Sequence, residues 1–318
     1  MNPLSTRARM AVTGAAGFVG SHLCEALLAE GYSLLGIDGF LGVAPRLEAQ
    51  SNLGSFAGDP RFTFVDGDLR HALLPDLFRG VATVFHLAAR TGVRQEGVAE
   101  FVSANVDVTR RVLTAADEAG VERVVFASSS SVYGATNERP SREDDAVDPR
   151  SAYARSKWLA EQCCTASRVP VVTVRYFTVY GPRQRADMAF ARFIHAARGG
   201  PPAPLYGDAL RMTRDFTYVG DAVDGTLRAW RQGRSGTAYN LSGGVGISLA
   251  DARAEIERLA GPVRCVSLPG TAAEAPHTRA DLTRARRELG YRPLTELAAG
   301  LRTQLEETMR NKRPEPVV

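Results

Sequence analysis

Ala11-Val-Thr-Gly-Ala-Ala-Gly-Phe-Val-Gly20 is the stretch that decides the fold. A short apolar run (Met10, Ala11, Val12) ends in Gly14, Gly17 and Gly20. A helical pattern begins at once, with Leu23, Leu27 and Leu28 on one face and Gly31 as the stop. Strand, glycine turn and helix together form the context in which spaced glycines serve a dinucleotide. A turn without side chains lets the backbone approach a pyrophosphate, and the helix N-terminus offers free N–H groups and partial positive charge. The spacing is Gly-x-x-Gly-x-x-Gly rather than Gly-x-Gly-x-x-Gly, and a plain tight βα turn gives the same triplet. Its meaning therefore depends on the rest of the chain.

Moving outward, Tyr32 to Ile37 reads as a second buried strand ending at Asp38. An acid there accepts hydrogen bonds from a ribose 2′-hydroxyl and repels a 2′-phosphate, which favours NAD over NADP. Phe62 to Val65 is a third strand, closed by Asp66-Gly-Asp-Leu69, which sets Asp68 and Leu69 at a carboxyl strand end. Thr83 to Leu87 is a fourth, running into Ala88-Ala-Arg-Thr-Gly-Val-Arg94, where Ala88 and Ala89 are small enough for a cofactor to pass. One helix is expected from about Val98 to Ala119, stopped by Gly120, then a fifth strand from Arg123 to Ala127. Strands alternating with helices of this length mean βαβ units and a parallel sheet, with ligands at the carboxyl strand ends.

The fifth strand runs into Ser128-Ser-Ser-Ser-Val-Tyr-Gly134. Such serines either cap the strand or face a substrate. Tyr153-Ala-Arg-Ser-Lys157 then opens a helix, and positions i and i+4 share a face. A lysine one turn from a tyrosine lowers the phenol pKa, and a phenolate is a usable general base for a hydroxyl. A packing tyrosine beside a snorkelling lysine has the same spacing. After a sixth strand, Val169 to Phe177, the doubly wound pattern stops. Helices at about Ala186–Arg198, Asp221–Arg231, Ser248–Leu259 and Leu294–Met309 then alternate with short strands near Pro204–Tyr206, Phe216–Val219, Thr237–Leu241 and Val263–Leu268. No repeat or linker is evident. The expected architecture is α/β, a Rossmann-like doubly wound parallel sheet (residues 1–177) with a smaller C-terminal α/β substrate-binding lobe (178–318), some segments returning to the first domain.

Composition agrees. The chain has 318 residues, 44% of them hydrophobic and 23% charged, values ordinary for a soluble globular protein. The net charge of +4 is interspersed and suits an anionic small molecule better than nucleic acid. Cys24, Cys163, Cys164 and Cys265 have neither metal-ligand nor disulfide spacing, and the five histidines form no cluster, so no metal is expected. The absence of an apolar leader or an eighteen-residue apolar run points to a cytoplasmic protein that does not engage a membrane.

Taken in order, Thr13-Gly-Ala-Ala-Gly-Phe-Val-Gly20, Asp38, Asp68-Leu69, His86-Leu-Ala-Ala89, Ser128-Ser129, Tyr153-x-x-x-Lys157, Tyr176-Phe-Thr-Val-Tyr-Gly-Pro182 and Arg214-Asp-Phe-Thr-Tyr-Val219 resemble the extended short-chain dehydrogenase/reductase family, in its nucleotide-sugar epimerases and dehydratases. The resemblance covers nearly the whole chain. It implies bound NAD, a UDP-sugar substrate and a homodimer formed through two helices of the first lobe. It makes Tyr153 the acid/base with Lys157 as partner, and Ser129 the hydroxyl on the reacting oxygen. NAD contacts fall to Gly14, Gly17, Phe18, Val19, Gly20, Asp38, Asp68, Leu69, Leu87, Ala88, Ala89, Asn105, Ser128, Tyr153, Lys157 and Tyr176. Substrate contacts fall to Arg94, Ser129, Ser130, Ser131, Thr178, Arg185, Arg192 and Arg214, with Arg214 pairing the diphosphate.

Relatives that eliminate water or carbon dioxide carry acids at the serine run. Ser129, Ser130 and Ser131 offer none, which implies a simple epimerase. Tyr176 to Met188 resembles the matching stretch of UDP-glucuronate 4-epimerases, with Ala186 where proline is usual. A uronate needs a cation, and Arg185, then Arg192, are the candidates. UDP-glucose/UDP-galactose 4-epimerase and UDP-glucuronate decarboxylase are the rival enzymes. A non-catalytic NAD-sensing regulator is the rival of another class, disfavoured by the Tyr153/Lys157 pair.

Overall fold

A computed structural model describes residues 8–41, 46–92, 97–134, 139–270 and 276–310. In chain order its elements begin with β1 (Arg9–Thr13), α1 (Phe18–Ala29), β2 (Ser33–Asp38), α2 (Arg46–Ser51), β3 (Phe62–Asp66), α3 (Leu74–Leu77), β4 (Val81–His86) and α4 (Val98–Phe101). A π-helical turn (Val102–Asp107) leads into α5 (Val108–Glu118), β5 (Arg123–Ser129), a 3-10 turn (Ser130–Tyr133), α6 (Ala152–Thr165) and β6 (Val171–Tyr176). Then come β7 (Val179–Tyr180), α7 (Ala189–Ala197), β8 (Ala203–Tyr206), β9 (Thr213–Asp215), β10 (Thr217–Tyr218) and α8 (Val219–Gln232). The chain closes with β11 (Thr237–Leu241), β12 (Gly246–Ser248), α9 (Leu249–Ala260), β13 (Cys265–Leu268), α10 (Thr283–Leu289) and α11 (Leu297–Arg310). Among the described residues no helix is long and apolar enough to cross a membrane.

The chain divides into two compact units: Met1–Ser129 with Ser151–Arg175 and Thr226–Tyr239, and Ser130–Arg150 with Tyr176–Gly225 and Asn240–Val318. Most of a seven-stranded sheet, ordered β11-β6-β5-β4-β1-β2-β3, lies in the first. β1 pairs in parallel with both β2 and β4. The order therefore reverses between β1 and β4, and ligands of such sheets lie outside the strand ends at that point. The strands are apolar runs because helices cover both faces. One face packs Ala11, Ile37, Val84, Val124 and Phe126 against Val112 and Ala116 of α5 and Ala160 and Cys164 of α6. α1 buries Leu23, Leu27 and Leu28, and Gly31, at φ +88°, lets the chain turn into β2.

The helix expected from Val98 to Ala119 is interrupted. Val102 to Asp107 winds as a π turn between α4 and α5. Apolar period alone does not register an inserted residue of this kind. The second unit has its own core, with Phe190, Phe193 and Ile194 of α7 against Ala252 and Ile256 of α9, Leu205, Phe216 and Leu301. It also holds the two-stranded pairs β7/β10, β8/β13 and β9/β12.

Candidate active site

In the first unit the glycine turn admits no larger residue. Gly14 has φ +74°, and a Cβ there would lie 2.8 Å from the Ala88 nitrogen. At Gly20 a Cβ would lie 2.0 Å from the Gly14 oxygen, and at Gly17 3.0 Å. α1 starts after Gly17 with no side-chain cap and no acid in its first turn. A glycine-rich turn whose two alanines are buried, before an uncapped helix, fits a pyrophosphate. Asp38, at the tip of β2, accepts hydrogen bonds from Ala16 N (3.1 Å) and Phe40 N (2.8 Å). Burial pushes its carboxyl pKa up. Phe18 and Val19 open α1 half-buried. At the end of β3, Asp68 grips Arg70 through Nε (2.9 Å) and Nη2 (2.6 Å), which holds its pKa low, and Leu69 is buried. Together these residues form a cradle suited to the adenosine and diphosphate part of NAD.

After β4, Leu87, Ala88 and Ala89 run half-buried past the glycine turn. A buried chain of polar groups fixes them. Thr109 Oγ1 donates its one proton to the Asn105 carbonyl (2.6 Å). His86 Nε2, 3.0 Å from Thr109 Oγ1, therefore donates, and Nδ1 accepts from Thr13 Oγ1 at 2.8 Å. Thr13 Oγ1 in turn accepts the Ala88 N–H at 3.3 Å. Burial, aided by the nearby Lys157 charge, pushes the His86 pKa down to about 3, so the ring is neutral as this chain requires. The Asn105 amide is also committed. Its Oδ1 accepts from Arg90 N (2.7 Å), while Nδ2 donates to Arg90 O (3.0 Å) and Ser156 Oγ (2.8 Å). Ser156 Oγ donates to the Tyr153 carbonyl at 2.8 Å. Asn105, expected as a direct NAD contact, thus spends its side chain tying the loop after β4 to the helix of Tyr153.

α6 begins after Ser151, whose hydroxyl accepts the Ala154 N–H (3.0 Å). This cap places Tyr153 in the first turn, half-buried, with its ring edge-on to Phe101. Lys157 lies one turn on, 3% exposed, its Nζ 4.4 Å from the centroid of Phe126 on β5. Burial draws its pKa down to about 8, with the Glu161 carboxylate pulling the other way. α6 packs on β5, whose last residue is Ser129. Ser128 does not present its hydroxyl at the strand tip as expected of a cofactor ligand. It turns inward and donates its proton to Glu161 Oε1. Glu161 is clamped by Arg175 of β6, Nε to Oε1 at 3.0 Å and Nη2 to Oε2 at 2.7 Å.

The remaining candidates belong to the second unit, apart from Arg94, which lies outside the described residues. Ser130 and Ser131 form the 3-10 turn after β5. Tyr176 ends β6, and Thr178 comes two residues later, its carbonyl accepting the Thr217 N–H at 2.9 Å. Arg185 forms a bidentate pair with Asp187, 2.9 and 3.0 Å. Arg192 lies half-buried on α7. Arg214 sits on β9 and donates to the carbonyls of Thr213 (3.1 Å) and Pro276 (3.2 Å). The next residue, Asp215, is fully buried and accepts from Ala280 N (3.0 Å), Gly244 N (2.9 Å) and Ser242 Oγ (2.9 Å). Burial pushes its pKa up to about 6.

Sequence patterns do not single out Ser156, Glu161, Arg175 or Asp215, and they leave Thr13 and His86 without a role. Each acts on a partner distant in the chain or hidden in the packing. A polar residue inside an apolar run is the only signal that could have found them.

A family model described as the NAD dependent epimerase/dehydratase family matches residues 10–242. The chain is 37% identical over 307 residues to an uncharacterized UDP-glucose epimerase of Bacillus subtilis (strain 168), covering 93% of this chain and 96% of that one. It is 33% identical over 312 residues to a UDP-glucuronate 4-epimerase of Thermodesulfobacterium geofontis (strain OPF15), covering 94% and 96%. Its structure matches that of UDP-glucuronic acid 4-epimerase from Bacillus cereus in complex with UDP-glucuronic acid and NAD, with a TM-score of 0.91 and 35% identity, covering 95% and 99%.

Proposed function

This chain belongs to the NAD dependent epimerase/dehydratase family, and from that premise we propose that it is a UDP-glucuronate 4-epimerase interconverting UDP-glucuronate and UDP-galacturonate. The observation that carries the reading is the end of β5. Ser129 is succeeded by Ser130 and Ser131 with no carboxylate, and α6, packed on β5, offers Tyr153 and Lys157 as an acid/base pair. A tip without an acid suits a reaction in which nothing is eliminated.

Gly14, Gly17, Gly20, Asp38 and the Ala88–Ala89 segment would hold NAD. When bound, NAD would supply the redox chemistry, as a reversible hydride acceptor for C4 of the sugar. Tyr153 takes the 4′-hydroxyl proton and gives it back. The Lys157 ammonium favours the phenolate this requires. Ser129 orients the reacting oxygen, and Arg214 anchors the diphosphate while the sugar turns. A 4-keto uronate is a β-keto acid, so the side chains that grip its carboxylate must keep the C5–C6 bond out of the geometry for loss of carbon dioxide. A cytoplasmic homodimer completes the reading.

The test is proton NMR of the purified protein with UDP-glucuronate and no added cofactor. UDP-galacturonate approaching equilibrium is expected, and a UDP-pentose would make the protein a decarboxylase instead. One observation favours a second reading, UDP-glucose 4-epimerase: the Arg185 cation is already matched by Asp187. Arg185→Ala separates the two. The first reading expects about a tenfold higher KM for UDP-glucuronate, the loss of one charge-assisted contact. An unchanged KM together with faster turnover of UDP-glucose favours the second.

A further inference from the structure

Tyr153, Lys157 and Glu161 fall at i, i+4 and i+8 of α6, and so along one face of one helix. Lys157 is 3% exposed and Glu161 5%. A cation this deep needs an anion nearby, or it gives up its proton. Glu161 is the carboxylate on that face. Among the titratable and charged groups packed around the pair, His86 of β4 is neutral, and burial pushes the Cys164 thiol of α6 upward, so it too is neutral. Cys163 is its neighbour on α6, Arg175 of β6 is a cation, and Tyr153 lies one turn N-terminal to Lys157.

Glu161 is itself built in. Arg175, 4% exposed, holds both of its oxygens, and Ser128 donates a third hydrogen bond. This clamp holds the Glu161 carboxylate in place. We propose that Glu161 is a positioning residue for the reaction, the buried anion that keeps Lys157 in its ammonium form beside Tyr153. The proposal rests on the reading of Tyr153 and Lys157 as the acid/base pair. Without Glu161, Lys157 would lose the carboxylate on its own helix face and would give up its proton at lower pH. The phenolate of Tyr153 would then lose its support over the same range. The two groups titrate as a coupled pair, so the observable is the alkaline limb of the turnover profile.

The experiment is the pH dependence of kcat for the holoenzyme on UDP-glucuronate, with NAD content measured alongside. Glu161→Gln removes the charge and keeps one acceptor oxygen for Ser128 and Arg175 Nε, while its amide nitrogen takes away the acceptor of Arg175 Nη2. The expected result is retained NAD, an alkaline limb displaced about one unit to lower pH, and about tenfold lower turnover at pH 8. An alkaline limb at the wild-type position overturns the proposal. Ser128→Ala removes the anchor and keeps the charge, and its limb is expected at the wild-type position. A displacement as large as that of Glu161→Gln would mean that anchoring rather than charge matters, which also overturns it. If Glu161→Gln does not fold, the Glu161→Gln/Arg175→Met double variant avoids the buried unpaired guanidinium, and a smaller displacement in the same direction, measured against Arg175→Met, is required of it. Tyr153→Phe tests the underlying reading separately: wild-type turnover there defeats the acid/base assignment whatever the limb does.

Discussion

Tyr153 and Lys157 carry the chemistry because a helix brings residues four apart onto one face, and because Lys157 is buried deeply enough for its charge to be felt. Removing the phenol oxygen should cost about 10²- to 10⁴-fold in turnover, the range for a general acid/base. Tyr153→Phe is therefore expected to be nearly inactive on UDP-glucuronate in the NMR assay while still releasing NAD on denaturation. Asp215 gives a second prediction at this scale. Its pKa in the fold is about 6 against an ordinary 3.8, so the folded state binds that proton more tightly than the unfolded chain. The stabilisation is full below about pH 4 and is lost as pH rises through 6, by about 2 to 3 kcal/mol. The stability of the wild type relative to Asp215→Asn should fall by that amount between pH 4 and pH 7, measured by denaturant titration. A difference independent of pH would refute the linkage.

At the scale of elements, the π turn Val102–Asp107 matters most. It carries Asn105, whose amide joins the loop after β4 to α6 through Arg90 and Ser156. Loop and helix carry NAD and acid/base candidates respectively, so one side chain sets both. Asn105→Leu fills the same volume but leaves the Arg90 backbone groups and the Ser156 hydroxyl without that partner. The expected loss is about 2 to 4 kcal/mol of stability, seen as a lower thermal midpoint, with reduced NAD retention. Unaltered stability and NAD content would show that water replaces the amide without penalty. The His86 chain works in the same way, its tautomer dictated by the carbonyl that Thr109 serves.

At the scale of the whole molecule, the proposed homodimer is open to direct test. Leu159 on α6 is 45% exposed and Val98 on α4 57%, apolar side chains of the first unit that the proposed homodimer would cover. Leu159→Glu is expected to give a monomer by analytical ultracentrifugation where the proposal expects the wild type to be a dimer. A dimer that survives it places the interface elsewhere. The sequence by itself determined the parallel α/β class, the glycine turn before α1, the acid ending β2 and the Tyr153/Lys157 pair. These are local signals: an apolar period, a backbone angle open to glycine, a spacing of four on a helix. Only the tertiary structure decided that Ser128 turns inward to Glu161, that Asn105 clamps Arg90 and Ser156, that Val98–Glu118 contains a π turn, and that Thr226–Tyr239 returns to the first unit. The hydrogen-bonded pairs among these join residues 15, 33 and 51 positions apart. Such choices are made by the need of buried donors, acceptors and charges to find one another, and no local pattern records them.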